Sequence, residues 1–339
     1  LWIFGTAKDL LDHYFTSEKS KLYMGMTVIE SGPASIHDPG TAFTIPLMDS
    51  GSVFDGYWGF VKTGIWKITE SLTKINLSLG VKVYLDSSIT EVDTNSKIIS
   101  FVKDSKDEKL HYDHLIFATD PVTPSKLIKG FKQDIELDEI GTSGKVTAFF
   151  RNPIKWKESN EYSDSFRFIF SNDNLNKFEE ASQNALKNSG DYFAGFIQIY
   201  PDGSAQRSMS NKENYDKLIL FTKNLSYDKK GDDLNKIKDE IINTVLPYIE
   251  NADDLVYSKF LTPKDLNKTF FFPKGNIDHI TLTGKQNYNK RTFSKNPNNF
   301  YSYYDLKDVY YCGAGSFPCG SVAGTAGYMC SKQLIRNDH

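Results

Sequence analysis

Cysteine is nearly absent: Cys312, Cys319 and Cys330 are the only three in 339 residues. A count that low and odd rules out a disulfide framework and points to a reducing compartment. No apolar run approaches the roughly 20 residues of a membrane-spanning helix, so no segment reads as transmembrane. Arginine is rare too, with Arg151, Arg167, Arg207, Arg291 and Arg336 the whole set among 40 basic residues. Lysine and asparagine abound instead, a bias most simply genomic. The net charge of -3 is spread along the chain, without the basic stripe of a nucleic-acid binder or a basic membrane patch. The chain opens at Leu1 inside a Leu-Trp-Ile-Phe run, without methionine or signal peptide, and reads as a fragment or processed product with any upstream targeting signal out of sight. The expectation is an intracellular protein, cytoplasmic or, in a eukaryote, in the mitochondrial matrix. No nucleic-acid partner is expected.

What is present suffices for a large core, and the length suits two domains. The densest signal is Val309-Tyr-Tyr-Cys-Gly-Ala-Gly-Ser-Phe-Pro-Cys-Gly-Ser-Val-Ala-Gly-Thr-Ala-Gly-Tyr328. Val309 to Cys312 reads as a buried strand, followed by a glycine-rich loop and a helix over 322–334. Such a loop presents backbone N–H groups where side chains would block approach, which suits a large, electron-rich cofactor. A plain glycine-rich turn between a strand and a helix is the other reading.

Along the rest of the chain, residues 1–60 read as irregular. Ile65, Ile68, Leu72, Ile75 and Leu79 recur at helical spacing, and Gly80 closes that helix. Strands are expected at 81–85, 89–92, 98–102 and 114–118. Further strands at 146–150, 165–170, 192–199 and 218–224 suggest one large sheet. Helices are expected at 173–187 and 232–249, and a polar loop at 284–304.

Few residues announce chemistry. His111 and His114, three apart on one strand, would face opposite sides and cannot share a metal ion, so no metal is expected. His279 is either an acid/base group near a substrate or an ordinary exposed or hydrogen-bonded histidine. Cys312 and Cys319 flank the glycine loop at a spacing that matches no redox motif, which leaves a thiol–disulfide enzyme without its pair. The aromatic runs 270–272 and 300–304 could wall a pocket or fill a core. No side chain stands out as catalytic.

Four segments carry a resemblance: Gly56-Tyr-Trp-Gly-Phe-Val-Lys-Thr-Gly64, Leu115-Ile-Phe-Ala-Thr-Asp-Pro121, the pair Leu261–Leu266 with Pro273–His279, and Val309–Gly327. In order and spacing the chain resembles the phytoene-desaturase-like flavoproteins, within the wider flavin amine oxidase and phytoene dehydrogenase group. The resemblance implies an α/β fold: an incomplete FAD/NAD(P)-binding Rossmann-like domain with an inserted α+β, mixed-sheet substrate domain. Residues 61–130 and 305–339 would form the second half of the FAD-binding domain, and 1–60 with 131–304 the substrate or cap domain. It further implies FAD as cofactor. Ile89 would lie near the adenine, and Ala118 and Asp120 near the ribose and pyrophosphate. Gly313, Ala314 and Gly315 would approach the phosphates and ribityl chain, with Gly320, Val322, Ala323 and Gly324 at the flavin ring.

Departures from the family pattern are Phe317 for a histidine, Cys319 for a glycine, and Thr63 and Trp66 for two upstream glycines. Each adds bulk. The sequence also contains no Gly-x-Gly-x-x-Gly, so the chain reads as lacking the front unit of that domain. The expected function is an FAD-dependent oxidoreductase that moves a hydride from an unknown small organic substrate to flavin. The alternative is a non-catalytic interaction or regulatory protein that keeps the fold.

Overall fold

The computed structural model describes residues 1–30, 34–49, 61, 64–132, 136–158, 165–202, 215–229, 232–320, 322 and 324–338. The first described segments are helical rather than irregular: α1 (Ala7–Tyr14), α2 (Glu18–Glu30) and α3 (Thr44–Asp49). Thr6 caps α1 by accepting from the Asp9 amide at 3.0 Å. Leu22, Met26 and Ile29 bury one face of α2. These helices are short, and the turn-forming dipeptides between them interrupt the apolar period that would have revealed them.

Helix α4 (Trp66–Ser78) forms where periodicity places it, and Gly80 leaves it with φ +83°. Its apolar face is not covered by the described residues: no side chain of α4 is buried, and Leu72 and Ile75 are more than half exposed. Residues 81–85 were expected as a strand. They run unpaired, because no described strand lies beside them to take up their hydrogen bonds.

A meander follows: β1 (Ser87–Asp93), β2 (Ile98–Lys103) and β3 (Lys106–His111), all antiparallel. Asp104 and Ser105, at φ +51° and +59°, make the tight hairpin turn between β2 and β3. Strand β3 has every residue exposed, so its sequence carries no burial pattern to read. Next come the short strand β4 (Leu115–Phe117) and helix α5 (Thr123–Leu127).

The large sheet is built from β5 (Gly144–Phe150), β6 (Arg167–Phe170), β7 (Phe196–Tyr200), β8 (Asp216–Thr222) and β9 (Leu255–Leu261). Its order is β6-β7-β8-β5-β9, antiparallel throughout. Alternation decides which face is inside: Val146, Ala148 and Phe150 of β5 are buried, as are Leu218 and Leu220 of β8. Helix α6 (Leu175–Leu186) packs with α2, and α7 (Asp232–Val245) lays Ile237, Ile241 and Val245 on the sheet. Helix α8 (Pro263–Phe270) was not expected. It starts with a capping box in which Thr262 and Asp265 satisfy each other's backbone amides.

Strand β10 (Val309–Tyr311) pairs in parallel with β4, placing Tyr311 opposite Phe117, and α9 (Thr325–Asp338) ends the described chain. None of the described helices is long and apolar enough to cross a membrane.

Candidate functional site

Because β4 and β10 run parallel, both chains leave their sheet at the same end. In open α/β sheets, ligands settle outside the carboxyl ends of parallel strands. Here those ends lead into 118–121 and into the glycine loop 313–320. Three tyrosine hydroxyls fasten the two loops. Tyr311 donates to the Thr119 carbonyl at 3.1 Å and accepts from the Gly315 amide at 3.2 Å. Tyr303 donates to Pro121 at 2.9 Å, and Tyr301 to Phe317 at 3.1 Å. Burial pushes the Tyr301 phenol up to about 12, and those of Tyr303 and Tyr311 also rise through burial. All three stay neutral donors. The aromatic run 300–304 therefore serves the core and the loop, not a pocket wall alone.

Gly313 and Gly315 are required by this packing. A Cβ at Gly313 would run into the Thr119 carbonyl and sit 2.6 Å from the Tyr311 hydroxyl; at Gly315 it would sit 2.8 Å from that hydroxyl. Ala314 lies beside Gly320, where a Cβ would stand 3.2 Å from the Ala314 methyl. Gly324 differs. Its φ is +68°, and none of the described residues lies within 4 Å of where its Cβ would be. A side chain there is opposed by backbone conformation, not by a neighbour in the chain.

The other expected site residues are placed as follows. Ala118 is exposed immediately after β4. Asp120 turns its carboxylate onto its own chain, accepting from the Val122 and Thr123 amides at 2.9 Å each and from the Thr123 hydroxyl. That caps the entry to α5. Ile89 pairs with Phe101 on β1, its side chain exposed. Val322 is exposed at φ +57°. Ala323 and Thr63 lie outside the described residues, as does the segment 56–60.

Whether the expected FAD fits is decided by this backbone. Gly324 and Gly327 are open to approach, and they border the first turn of α9, whose N–H groups have no intrahelical acceptor. That end of a helix favours negative charge. The donor set suits an anionic or electron-rich planar group, so these residues fit the flavin end of the cofactor. Of the bulky departures among the described residues, Trp66 is exposed, and the other two pack against the chain. Cys319 is only 4 % exposed and faces inward, and the Phe317 ring lies edge-on between Tyr288 and Phe300.

Arg291 went unnoticed in the sequence. It is fully buried and spreads its guanidinium over five backbone carbonyls. Nη2 donates to Ala314 at 2.9 Å, Asp278 at 3.0 Å and Ile280 at 3.2 Å, while Nε and Nη1 reach Ser316 and Gln286 at 3.3 Å each. One side chain thereby ties the 278–291 loop to the glycine loop. Its only sequence signal is rarity, since a lysine-rich chain keeps an arginine here.

His279 lies near it at φ +66°, its ring 5.8 Å from that of Phe272. Its Nδ1 is buried without a hydrogen-bond partner, and burial lowers its pKa against the opposing pull of Asp120. His111 ends β3, and His114 stands 3.7 Å from Asp308, off that strand. No group of three or more metal-binding side chains occurs among the described residues. All three cysteines are free thiols. Cys312 meets Cys330 of α9, not Cys319, and that hydrogen bond draws the Cys312 pKa down.

The fold so assembled is an α/β fold with a sheet domain, similar to that of solved amine oxidases. The chain superposes along its whole length on putrescine oxidase, covering 69% of that chain, with a TM-score of 0.54 and 12% identity. It covers 68% of the PF1083 protein from Pyrococcus furiosus with a TM-score of 0.56 at 15% identity, through 98% of its own length. Cyclohexylamine oxidase from Brevibacterium oxydans is similar, at a TM-score of 0.52, 8% identity, and coverage of 99% of this chain and 68% of that one. In sequence, 97% of the chain is similar to pyridine nucleotide-disulfide oxidoreductase domain-containing protein 2 of Rattus norvegicus, at 23% identity. A 4,4'-diapophytoene desaturase of Staphylococcus aureus matches 93% of the chain, also at 23% identity. The chain spans 60% and 62% of the lengths of these two relatives. No family model matches it.

Proposed function

We propose that the chain belongs to an FAD-dependent oxidoreductase acting on a small organic substrate. The observation that carries this is the parallel pair β4–β10 opening into a glycine loop and the first turn of α9, where Gly327 and Tyr328 are exposed. The similarity to a desaturase and to two amine oxidases supports the same class. Bound FAD would supply a hydride acceptor for a substrate C–H. The chain's own residues position and polarise. Gly313 to Gly315, held by Tyr311 and Arg291, keep the loop backbone in place, and the N-terminus of α9 favours negative charge at the ring. Asp120 fixes the 118–123 bend by accepting from the Val122 and Thr123 amides, beside the place proposed for the ribose and pyrophosphate.

In this proposal, residues 61–130 and 305–339 form the second half of the cofactor domain. Residues 1–60 and 131–304 form the substrate or cap domain, centred on the five-stranded sheet. The contact of strands so far apart in sequence supports that division. With no Gly-x-Gly-x-x-Gly in the sequence, the pyrophosphate lacks its usual cradle. Residues 1–339 alone should therefore bind FAD weakly. The burial of Cys319 removes one ground for the non-catalytic rival, which still rests on Phe317, Thr63 and Trp66.

The test is a visible spectrum with FAD titration on the protein at its full natural length and on residues 1–339. The longer protein should carry flavin. Gly324→Leu in it should lose flavin with far-UV dichroism unchanged, whereas Cys319→Gly should keep it. A natural-length protein that takes up no FAD overturns the proposal.

A further inference from the structure

Beside the glycine loop, a cavity of about 460 Å³ opens against the flank of α9, within the roughly 300–1,000 Å³ typical of small-molecule sites. Pro297, Phe300, Phe317 and Met329 make its walls apolar. Its charged groups are of one sign: Lys332 and Arg336 line it, and no acidic side chain does so among the described residues. Met329, Lys332, Gln333 and Arg336 recur at i, i+3, i+4 and i+7, so a single face of α9 supplies them.

Gln333 gives a second, independent observation. It is only 7 % exposed, and its Oε1 accepts from the Tyr301 amide at 3.1 Å. A backbone amide can only donate, so the oxygen must face Tyr301 and the nitrogen must turn away. That Nε2 is closed off from solvent and has no acceptor among the described residues. A buried donor left unmade is costly and calls for an explanation. Arg336 uses one N–H on the Asn298 carbonyl at 2.8 Å, which leaves other donors of its fork to face a ligand. Gln333 Nε2, Lys332 and Arg336 offer donors and positive charge, the amide of Asn289 and the hydroxyls of Tyr288 and Tyr301 can donate or accept, and most of the wall is hydrocarbon.

We propose that this cavity binds an organic carboxylate with an apolar, ring-sized body. The carboxylate is met by Gln333 Nε2 and by the charges of Lys332 and Arg336, while the body packs against Phe300, Phe317 and Met329. A bare inorganic anion would leave the apolar wall wet, and an uncharged or cationic compound would leave the donors unmatched. The site goes beyond the flavin proposal and does not depend on it, although Phe317 forms a wall common to the cavity and the glycine loop.

The probe is 2-naphthoate, followed by its fluorescence and by equilibrium dialysis, against its uncharged counterpart 2-naphthamide. Wild-type protein should bind 2-naphthoate saturably, one per chain and roughly tenfold tighter than the amide. Gln333→Glu keeps an oxygen for the Tyr301 amide but replaces the unmatched donor with a negative oxygen. It should weaken 2-naphthoate at least about tenfold and leave 2-naphthamide within about threefold, which also reports that the cavity is intact. Lys332→Gln, at an exposed position where the ammonium lies 5.5 Å from the Tyr328 ring centroid, should weaken the acid by about threefold or more and spare the amide. The proposal is overturned by any of three results: no saturable binding to wild type, equal affinity for acid and amide, or unchanged 2-naphthoate binding in both variants. Competition by inorganic phosphate as effective as by benzoate would also overturn it, since that describes an anion site without an apolar body.

Discussion

Tyr303 donates its hydroxyl to the Pro121 carbonyl at 2.9 Å, joining positions 182 residues apart in the chain. The ring is fully buried among Phe117, Phe131 and Phe293, so the bond is made in a dry setting. Pro121 in turn packs against the glycine loop near Gly315. Tyr303→Phe keeps the ring and removes only the donor. It should cost about 1–2 kcal/mol in urea unfolding, the penalty for one buried acceptor left unmade. A loss below a few tenths would mean that the carbonyl finds another donor.

Arg291→Lys should be far more damaging than its conservative appearance suggests. The ammonium keeps the charge but brings three donors on a flexible stem, where the guanidinium reaches five carbonyls in one plane. A buried charge deprived of its partners costs on the order of 3 kcal/mol or more. Hydrogen exchange should accelerate at the amides of 313–317 before it does in the five-stranded sheet. Uniform acceleration would mean that Arg291 stabilises the whole protein and has no particular hold on the glycine loop.

His279 should make stability depend on pH. Burial lowers its folded pKa beneath the ordinary value of 6.5. The unfolded chain therefore takes up a proton there before the folded protein does. Stability from this group is fully present above 6.5, declines as pH falls below it, and stops declining once the folded value is passed. Urea midpoints of wild type should drop between about pH 7 and about pH 5.5, and His279→Gln should flatten that slope. Equal slopes in the two proteins would show that His279 charges as readily folded as unfolded.

Much of the sheet was legible because alternation is a local signal. Val146, Ala148 and Phe150 point inward on β5, with every second residue facing out. The same holds for the helical period of Ile237, Ile241 and Val245 on α7. Strand β9 escaped because it is an edge: Val256 and Tyr257 are both exposed, so apolarity no longer marks the inner face. The alternation at 81–85 is as good as in β5, yet a strand also needs a neighbour, and the described residues provide none. At the site, the glycines were visible as a motif. The causes of two of them, Thr119 and the Tyr311 hydroxyl, were not, because they depend on a contact across nearly 200 residues of chain. Arg291 has no period and no motif, and a single buried cation is seen only when its acceptors converge.

Thiol chemistry distinguishes the cysteine arrangement found here from a pairing of Cys312 with Cys319 across the glycine loop. Cys312 is half-buried, whereas Cys319 and Cys330 are buried. The hydrogen bond from Cys330 lowers the Cys312 pKa, with burial opposing. The thiolate is the reactive form, so Cys312 should be alkylated first by iodoacetamide in the native protein. Cys330→Ala removes the stabilising donor, so the Cys312 pKa should rise and its alkylation at about pH 8 should slow by roughly threefold or more. Cys319→Ala should leave the Cys312 rate where it was. Peptide mapping by mass spectrometry after timed quenching gives all three rates. Cys319 labelled ahead of Cys312, or a Cys312 rate that follows Cys319 instead of Cys330, would restore the flanking pair and displace the contact with α9.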